Sequence, residues 1–348
     1  MKIFYAVQAT GNGHISRALE IIPFLKKYGQ TDVFLSGNNY SLKNNLPIAY
    51  RSKGLSLCYD NNGGIDLKKT IGSIRFKKIY TEAKHLPIEK YDLIINDFEC
   101  ITSLACKIKN IPSIHFGHQA SFQSKKVPRP DKKEFIGEWV LKNYANGNRN
   151  IGLHFKSYDE NIFSPIIKSS ILEAKPKDNG HITIYLNHYT DKFIIKYLSA
   201  LSNFKFELFS NHTDSPYSIN NIKVFPVNRE LFNQSLITCH GIITGAGFET
   251  PAEALYLGKK LMVIPLRGQY EQQCNAKALE EFNVMSIPEL DEFFPSYFNN
   301  WIFKETQLSF ILKHSTNQII DILIDAPRKI FIDPIENEEP KIDLEVAI

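Results

Sequence analysis

Gly11-Asn12-Gly13-His14 follows the first apolar run of the chain and opens a helical pattern. Glycines at such a turn let backbone approach a ligand closely, and a helix start offers unpaired N–H groups to an anion. An imidazole placed there can take up and release a proton near neutral pH. His14 is thus the lead candidate for a general base, flanked by Gly13, with Arg17 one turn on as a contact for an acceptor anion. The turn is not a dinucleotide fingerprint. The third glycine is replaced by Ser16, and the second strand ends Leu35-Ser36-Gly37-Asn38 without the acid that would hold a ribose. A nicotinamide enzyme is disfavoured.

Asn96-Asp97-Phe98-Glu99 falls where the fourth strand meets its helix. Asp97 reads equally as a cap of that helix and as a cleft carboxylate that holds hydroxyls or assists a base. Glu99 is harder to explain as a cap, so both join His14 as catalytic candidates. His115 and His118 lie three apart on or near a strand and point to opposite faces, which is not metal spacing. His115 reads as structural. His118 and Gln119 come after the strand end and line the acceptor side.

The richest stretch is Gly245-Ala246-Gly247-Phe248-Glu249-Thr250-Pro251-Ala252-Glu253. A strand runs into a glycine turn and then a helix, whose exposed start suits a nucleoside diphosphate. Thr250 reads as N-cap, Pro251 as the first helical residue and Glu253 as its capping-box partner. After one more strand, Glu271 and Gln272 open another helix with groups that can bind sugar hydroxyls, or cap that helix. No Asp-x-Asp pair stands at a strand end, so no obligatory metal or other cofactor is expected.

These groups need a scaffold. Strands are predicted at 3–7, 32–36, 55–59, 93–96, 113–116 and 151–155, with helices at 15–27 and 101–109. After a Pro/Asn/Gly-rich pause from 161 to 180, the pattern restarts with strands at 182–186, 206–209, 224–226, 241–243 and 261–264 and helices at 192–200, 230–235, 251–257 and 271–281. Alternating short apolar runs and helices imply parallel sheets. The expected fold class is α/β, with two Rossmann-like domains facing a central cleft: residues 1–165, then 166–325 including a helix at 307–324, then a tail over 326–348.

The 348 residues suit two cores, and 41 basic against 37 acidic residues leave a net charge of +4. No dominant field invites nucleic acid. The five cysteines, Cys58, Cys100, Cys106, Cys239 and Cys274, are odd in number and irregularly spaced, as reduced thiols of a cytosolic protein are. The N-terminal apolar run is broken at once by Gln8, Thr10 and Asn12, unlike a signal peptide, and no stretch approaches the ~20 apolar residues of a membrane span. A basic loop, Lys125 to Lys133, reads as solvated surface or as a patch for anionic lipid, which would place the protein on the inner face of the membrane.

The segments Gly11 to Arg17, Asn96 to Glu99 and Gly245 to Ala276 make the chain resemble GT-B glycosyltransferases, and within them family 28, which includes the lipid II-forming N-acetylglucosaminyl transferase. The resemblance runs from the first strand to the helix after Asn275, and implies transfer of a sugar from a nucleotide-sugar donor to a glycan or lipid-linked acceptor, with anomeric inversion. It further implies that Gly245, Ala246, Gly247 and Phe248 line the diphosphate and base, that Glu253 binds the ribose and that Glu271 and Gln272 bind the donor sugar, with Thr250 in the same donor set. His14 would face the reaction centre. The chain departs from the lipid II enzyme in lacking a second N-terminal glycine cluster, and in having Gly245 where that enzyme has Arg. Two rivals remain, a sugar-nucleotide 2-epimerase of the same fold and a non-catalytic sugar-nucleotide-binding protein.

Overall fold

The computed structural model describes residues 1–37, 45–54, 75–304 and 310–330. The first seven strands, β1 (Lys2–Gln8), β2 (Gln30–Ser36), β3 (Ile48–Ser52), β4 (Leu93–Asp97), β5 (Ile114–Gly117), β6 (Arg149–Leu153) and β7 (Ile162–Phe163), form one parallel sheet in the order β3-β2-β1-β4-β5-β6-β7. The second sheet holds β8 (His181–Tyr185), β9 (Lys205–Ser210), β10 (Tyr217–Ile219), β11 (Ile222–Pro226), β12 (Gly241–Thr244), β13 (Lys260–Val263) and β14 (Met285–Ser286), in the order β10-β11-β9-β8-β12-β13-β14. In it, β10 alone runs antiparallel to its neighbour.

Central strands are apolar throughout because helices cover both faces of such a sheet. All five residues of β4 are buried, as are six of the seven in β1. Edge strands lack this signal, which is why β3, β7, β10 and β14 escape a reading based on apolar runs. The strand expected at 55–59 lies outside the described residues.

Each sheet has one place where the strand order reverses direction, and open α/β sheets bind ligands outside the carboxyl ends of the strands there. In the first sheet it lies between β1 and β4, where Val7 pairs with Asp97. In the second it lies between β8 and β12, where Tyr185 pairs with Thr244. The glycine-histidine turn and Asp97 leave the first switch point, and the Gly245 turn leaves the second. The two ends face each other, with the Asn12 amide 3.5 Å from the Tyr185 hydroxyl.

The domain plan needs one correction. The helix Thr316–Ile330 begins later than the 307–324 pattern suggests and packs on the helix Asn12–Leu25 and on β6, both of the first half. Its Ile319, Ile320, Leu323 and Ala326 are fully buried in an apolar cluster shared with Ile15, Ala18 and Ile22. Tyr28 donates to Asp321, and Arg149 donates to the Ala326 carbonyl across 3.4 Å. The chain therefore crosses back to close its first domain. Among the described residues no helix is long and apolar enough to cross a membrane, and Cys100, Cys106, Cys239 and Cys274 are free thiols.

Candidate active site

The helix Asn12–Leu25 begins right after an extended Gly11, and no side chain caps it. His14 therefore sits in its first turn, with Nδ1 2.8 Å from Asp97 Oδ1. Asp97 is completely buried and takes three more hydrogen bonds: Arg17 Nε at 3.0 Å, Arg17 Nη2 at 2.7 Å and the Tyr5 hydroxyl at 3.0 Å. Burial alone would raise its carboxyl pKa, but Arg17 and His14 outweigh burial and hold it well below the usual carboxylate range. Burial and the neighbouring Asp97 push the Tyr5 phenol far up, so it stays a donor. Arg17 Nη2, which can only donate, also lies 2.9 Å from His14 Nδ1, so that nitrogen carries the proton when it turns to the ionised, acceptor-only Asp97, and Nε2 then keeps its lone pair. The imidazole is 13% exposed.

The chain around this pair is shaped for it. Phe98, next to Asp97, has φ +56, an uncommon conformation for a bulky residue. Gly117, at the end of β5, has φ +113, and a Cβ there would lie 2.9 Å from Asp97 Oδ1 and 3.1 Å from Arg17 Nη2. Glycine is required on both counts.

The expectation for Glu99 is overturned. It is the N-cap of the helix Cys100–Lys109, and its carboxylate accepts from the Ile101 and Thr102 amides at 2.9 and 2.6 Å. The positive φ of Phe98 turns the chain so that Asp97 points to the cleft and Glu99 back onto its own helix, the reverse of the capping reading.

In the second domain the expected capping box is absent. The helix Glu249–Tyr256 starts earlier than Thr250, its N-cap is Phe248, and no side chain caps it. Glu253 does not reach back to the helix start. It is almost wholly buried, 2.9 Å from Lys168 Nζ, which in turn donates to Asn233 at 3.0 Å. Burial raises the Glu253 carboxyl pKa, with Lys168 pulling the other way. A Cβ on Gly247 would meet nothing within 4 Å, so there is open space beside this glycine turn, whereas one on Gly245 would come within 3.4 Å of Gln272 Oε1. Gln272 is held within its own turn, accepting from the Leu266 amide at 2.8 Å and donating to Gln269 at 2.9 Å.

Three residues expected to meet an acceptor meet the opposite domain instead. Arg17 is 2% exposed and donates through Nη1 to Glu249. Gln119 donates to Glu271 at 3.0 Å. His118 lies flat on Phe248, with ring centroids 4.0 Å apart and planes at 7°, and its Nε2 is 2.7 Å from Asn275 Oδ1. Burial lowers the His118 pKa to about 3, so the ring is neutral and packs as an aromatic. His115, also buried and lowered to about 4, is structural as expected, with Nδ1 3.2 Å from Asn150 Oδ1.

Sequence reasoning brought His14, Arg17 and Asp97 to one place and missed Tyr5, Gly117, Glu249 and Lys168. Glu249 carried a signal, an acid in the first turn of a helix that follows Gly245 and Gly247. Tyr5 and Lys168 carried none, because only the packing of remote elements selects them. Among the described residues, no group of three or more His, Cys, Asp and Glu is arranged to hold a metal ion.

The family model described as "Glycosyl transferase family 1" matches residues 1–302. No curated protein sequence matches. Among solved structures, the glycotransferase of kitacinnamycin matches with a TM-score of 0.55 and 12% identity, covering 94% of this chain and 95% of that one. UGT71G1 of Medicago truncatula, complexed with UDP-glucose, matches at 0.54 and 11%, covering 95% of both chains. MurG of Acinetobacter baumannii matches at 0.50 and 14%, covering 94% of this chain and 99% of that one. At these identities the likeness is one of fold, the GT-B arrangement of two Rossmann-like domains.

Proposed function

The chain belongs to glycosyl transferase family 1, and on that premise we propose that it moves a hexose or N-acetylhexosamine from a UDP-linked donor to a glycan or lipid-linked acceptor of the cell envelope, with inversion. One observation carries this reading. The His14–Asp97 pair at one switch point stands opposite an uncapped helix start at the other. His14 Nε2 removes the acceptor hydroxyl proton as that oxygen bonds to the anomeric carbon. The bond from that carbon to the diphosphate breaks, and the diphosphate leaves with the electron pair, steadied by the amides at the start of the helix Glu249–Tyr256. Asp97 holds the imidazolium that forms. Gly245, Ala246, Gly247, Phe248 and Thr250 surround the diphosphate and base, Glu253 the ribose, and Glu271 and Gln272 the sugar. The kinship with family 28 is part of the same proposal.

A panel of UDP-, GDP- and dTDP-sugars tests the donor. A UDP-N-acetylhexosamine at about 100 times its Kd should stabilise the fold by roughly 2.7 kcal/mol, read as a rise in melting temperature. A shift with guanosine or thymidine donors alone overturns the choice of nucleotide.

The acceptor side supports work at the inner face of the membrane. Phe135, Ile136 and Trp139, on one arc of the helix Phe135–Asn143, are 85%, 58% and 56% exposed, while Leu141 on the other side is buried. Lys125, Lys132 and Lys133 are exposed beside them. Apolar insertion plus basic charge is a two-signal membrane anchor. Sedimentation with phosphatidylglycerol vesicles should show salt-sensitive binding, reduced roughly tenfold or more when Lys132 and Lys133 become Glu. Equal binding to uncharged phosphatidylcholine vesicles would contradict it.

A further inference from the structure

Arg17 is divided between the two domains. Its Nε and Nη2 grip Asp97, 3.0 and 2.7 Å away, while Nη1 reaches over the cleft to Glu249. Glu249 is the first residue of the helix Glu249–Tyr256, so its carboxylate stands at the end where the proposed function seats the donor diphosphate. It also closes over the opposite helix, since a Cβ on Gly13 would lie 2.6 Å from Glu249 Oε2. The guanidinium is shielded from water, whereas the Glu249 side chain is 17% exposed and can leave.

Two anions compete for this place. Glu249 and a diphosphate are drawn to the same guanidinium and the same helix start, and they repel each other. Lys168, which faces the same helix through Glu253, is engaged with Glu253 and Asn233. Arg17 needs no movement of its own to serve a new anion, because its grip on Asp97 fixes Nη1 in the cleft.

We propose that Glu249 is a placeholder for the donor diphosphate. Without nucleotide it pairs with Arg17 and holds the domains closed. The incoming diphosphate takes Arg17 Nη1 from it, so that a residue of the first domain becomes a donor contact. The inference rests on the donor site argued above and adds to it a built-in competitor and a cation supplied across the cleft.

Calorimetry with UDP on the full chain tests it. Glu249→Gln should bind UDP about five- to twentyfold more tightly than wild type, and its nucleotide-free form should have a larger radius of gyration by small-angle scattering. Glu249→Asp, which keeps the charge, should stay near wild type in affinity. In the Glu249→Gln background the competitor is gone, so Arg17→Lys should weaken UDP binding about tenfold through the lost fork alone, while circular dichroism verifies the fold. UDP binding by Glu249→Gln at unchanged or lower affinity overturns the placeholder and leaves the donor site standing. No binding of UDP, GDP or dTDP by either wild type or Glu249→Gln overturns the donor site and the placeholder with it.

Discussion

Replacing His14 by alanine should lower kcat by about 10²- to 10⁴-fold while leaving donor binding near its wild-type value. The reason is geometric. His14 meets Asp97 and Arg17 through Nδ1, both in its own domain, so removing the ring deletes the proton acceptor while Asp97 still holds the Arg17 guanidinium in place. The partial exposure of His14 also means that no large cavity forms, and the melting temperature should change little. Steady-state kinetics with a donor and acceptor pair, beside UDP calorimetry, separates the two quantities. Undiminished turnover by the alanine variant would remove His14 from the chemistry.

Asp97→Asn should be damaging twice over. The amide keeps the shape but not the charge, so His14 loses the partner that fixes its tautomer and carries its positive charge. Comparable losses of an orienting carboxylate cost on the order of 10⁴ in kcat. Arg17, buried against Asp97, would also keep only Glu249 as a counter-charge. Breaking a buried ion pair from one side costs roughly 3–5 kcal/mol, visible as a lower unfolding midpoint in denaturant. The pH dependence has a definite sign. Because the Asp97 carboxyl pKa is held below its unfolded value, its stabilisation is fully present above the ordinary range near pH 4 and is lost as the pH falls below it. Wild type and variant should therefore converge in stability as acid is added. A constant difference down to strongly acid pH would mean that the charge of Asp97 is not what stabilises the site.

Local pattern alone was enough to place both glycine turns at strand-to-helix junctions. The runs Ile3 to Val7, Leu93 to Asn96 and Gly241 to Ile243 are apolar because both faces of a central strand are covered. Where such a run stops and a helical pattern begins, a ligand-binding edge results whatever the rest of the chain does. Composition and spacing likewise ruled out a dinucleotide fingerprint.

The choice between Asp97 and Glu99 was beyond that kind of reading. Two acids two residues apart have the same local signals, and only the backbone turn at Phe98 sends one to the cleft and the other onto helix amides. The same holds for Arg17, whose sequence suits a surface contact or an acceptor anion, but which is buried because Glu249, 232 positions away, closes over it. The helix Thr316–Ile330 joins the first domain for an equally non-local reason, the apolar face it shares with the helix Asn12–Leu25. Periodicity and turn chemistry report how a backbone runs through its own neighbourhood. Which charges meet is settled by long-range packing, where burial makes an unpaired ion costly and so forces a partner from elsewhere in the chain.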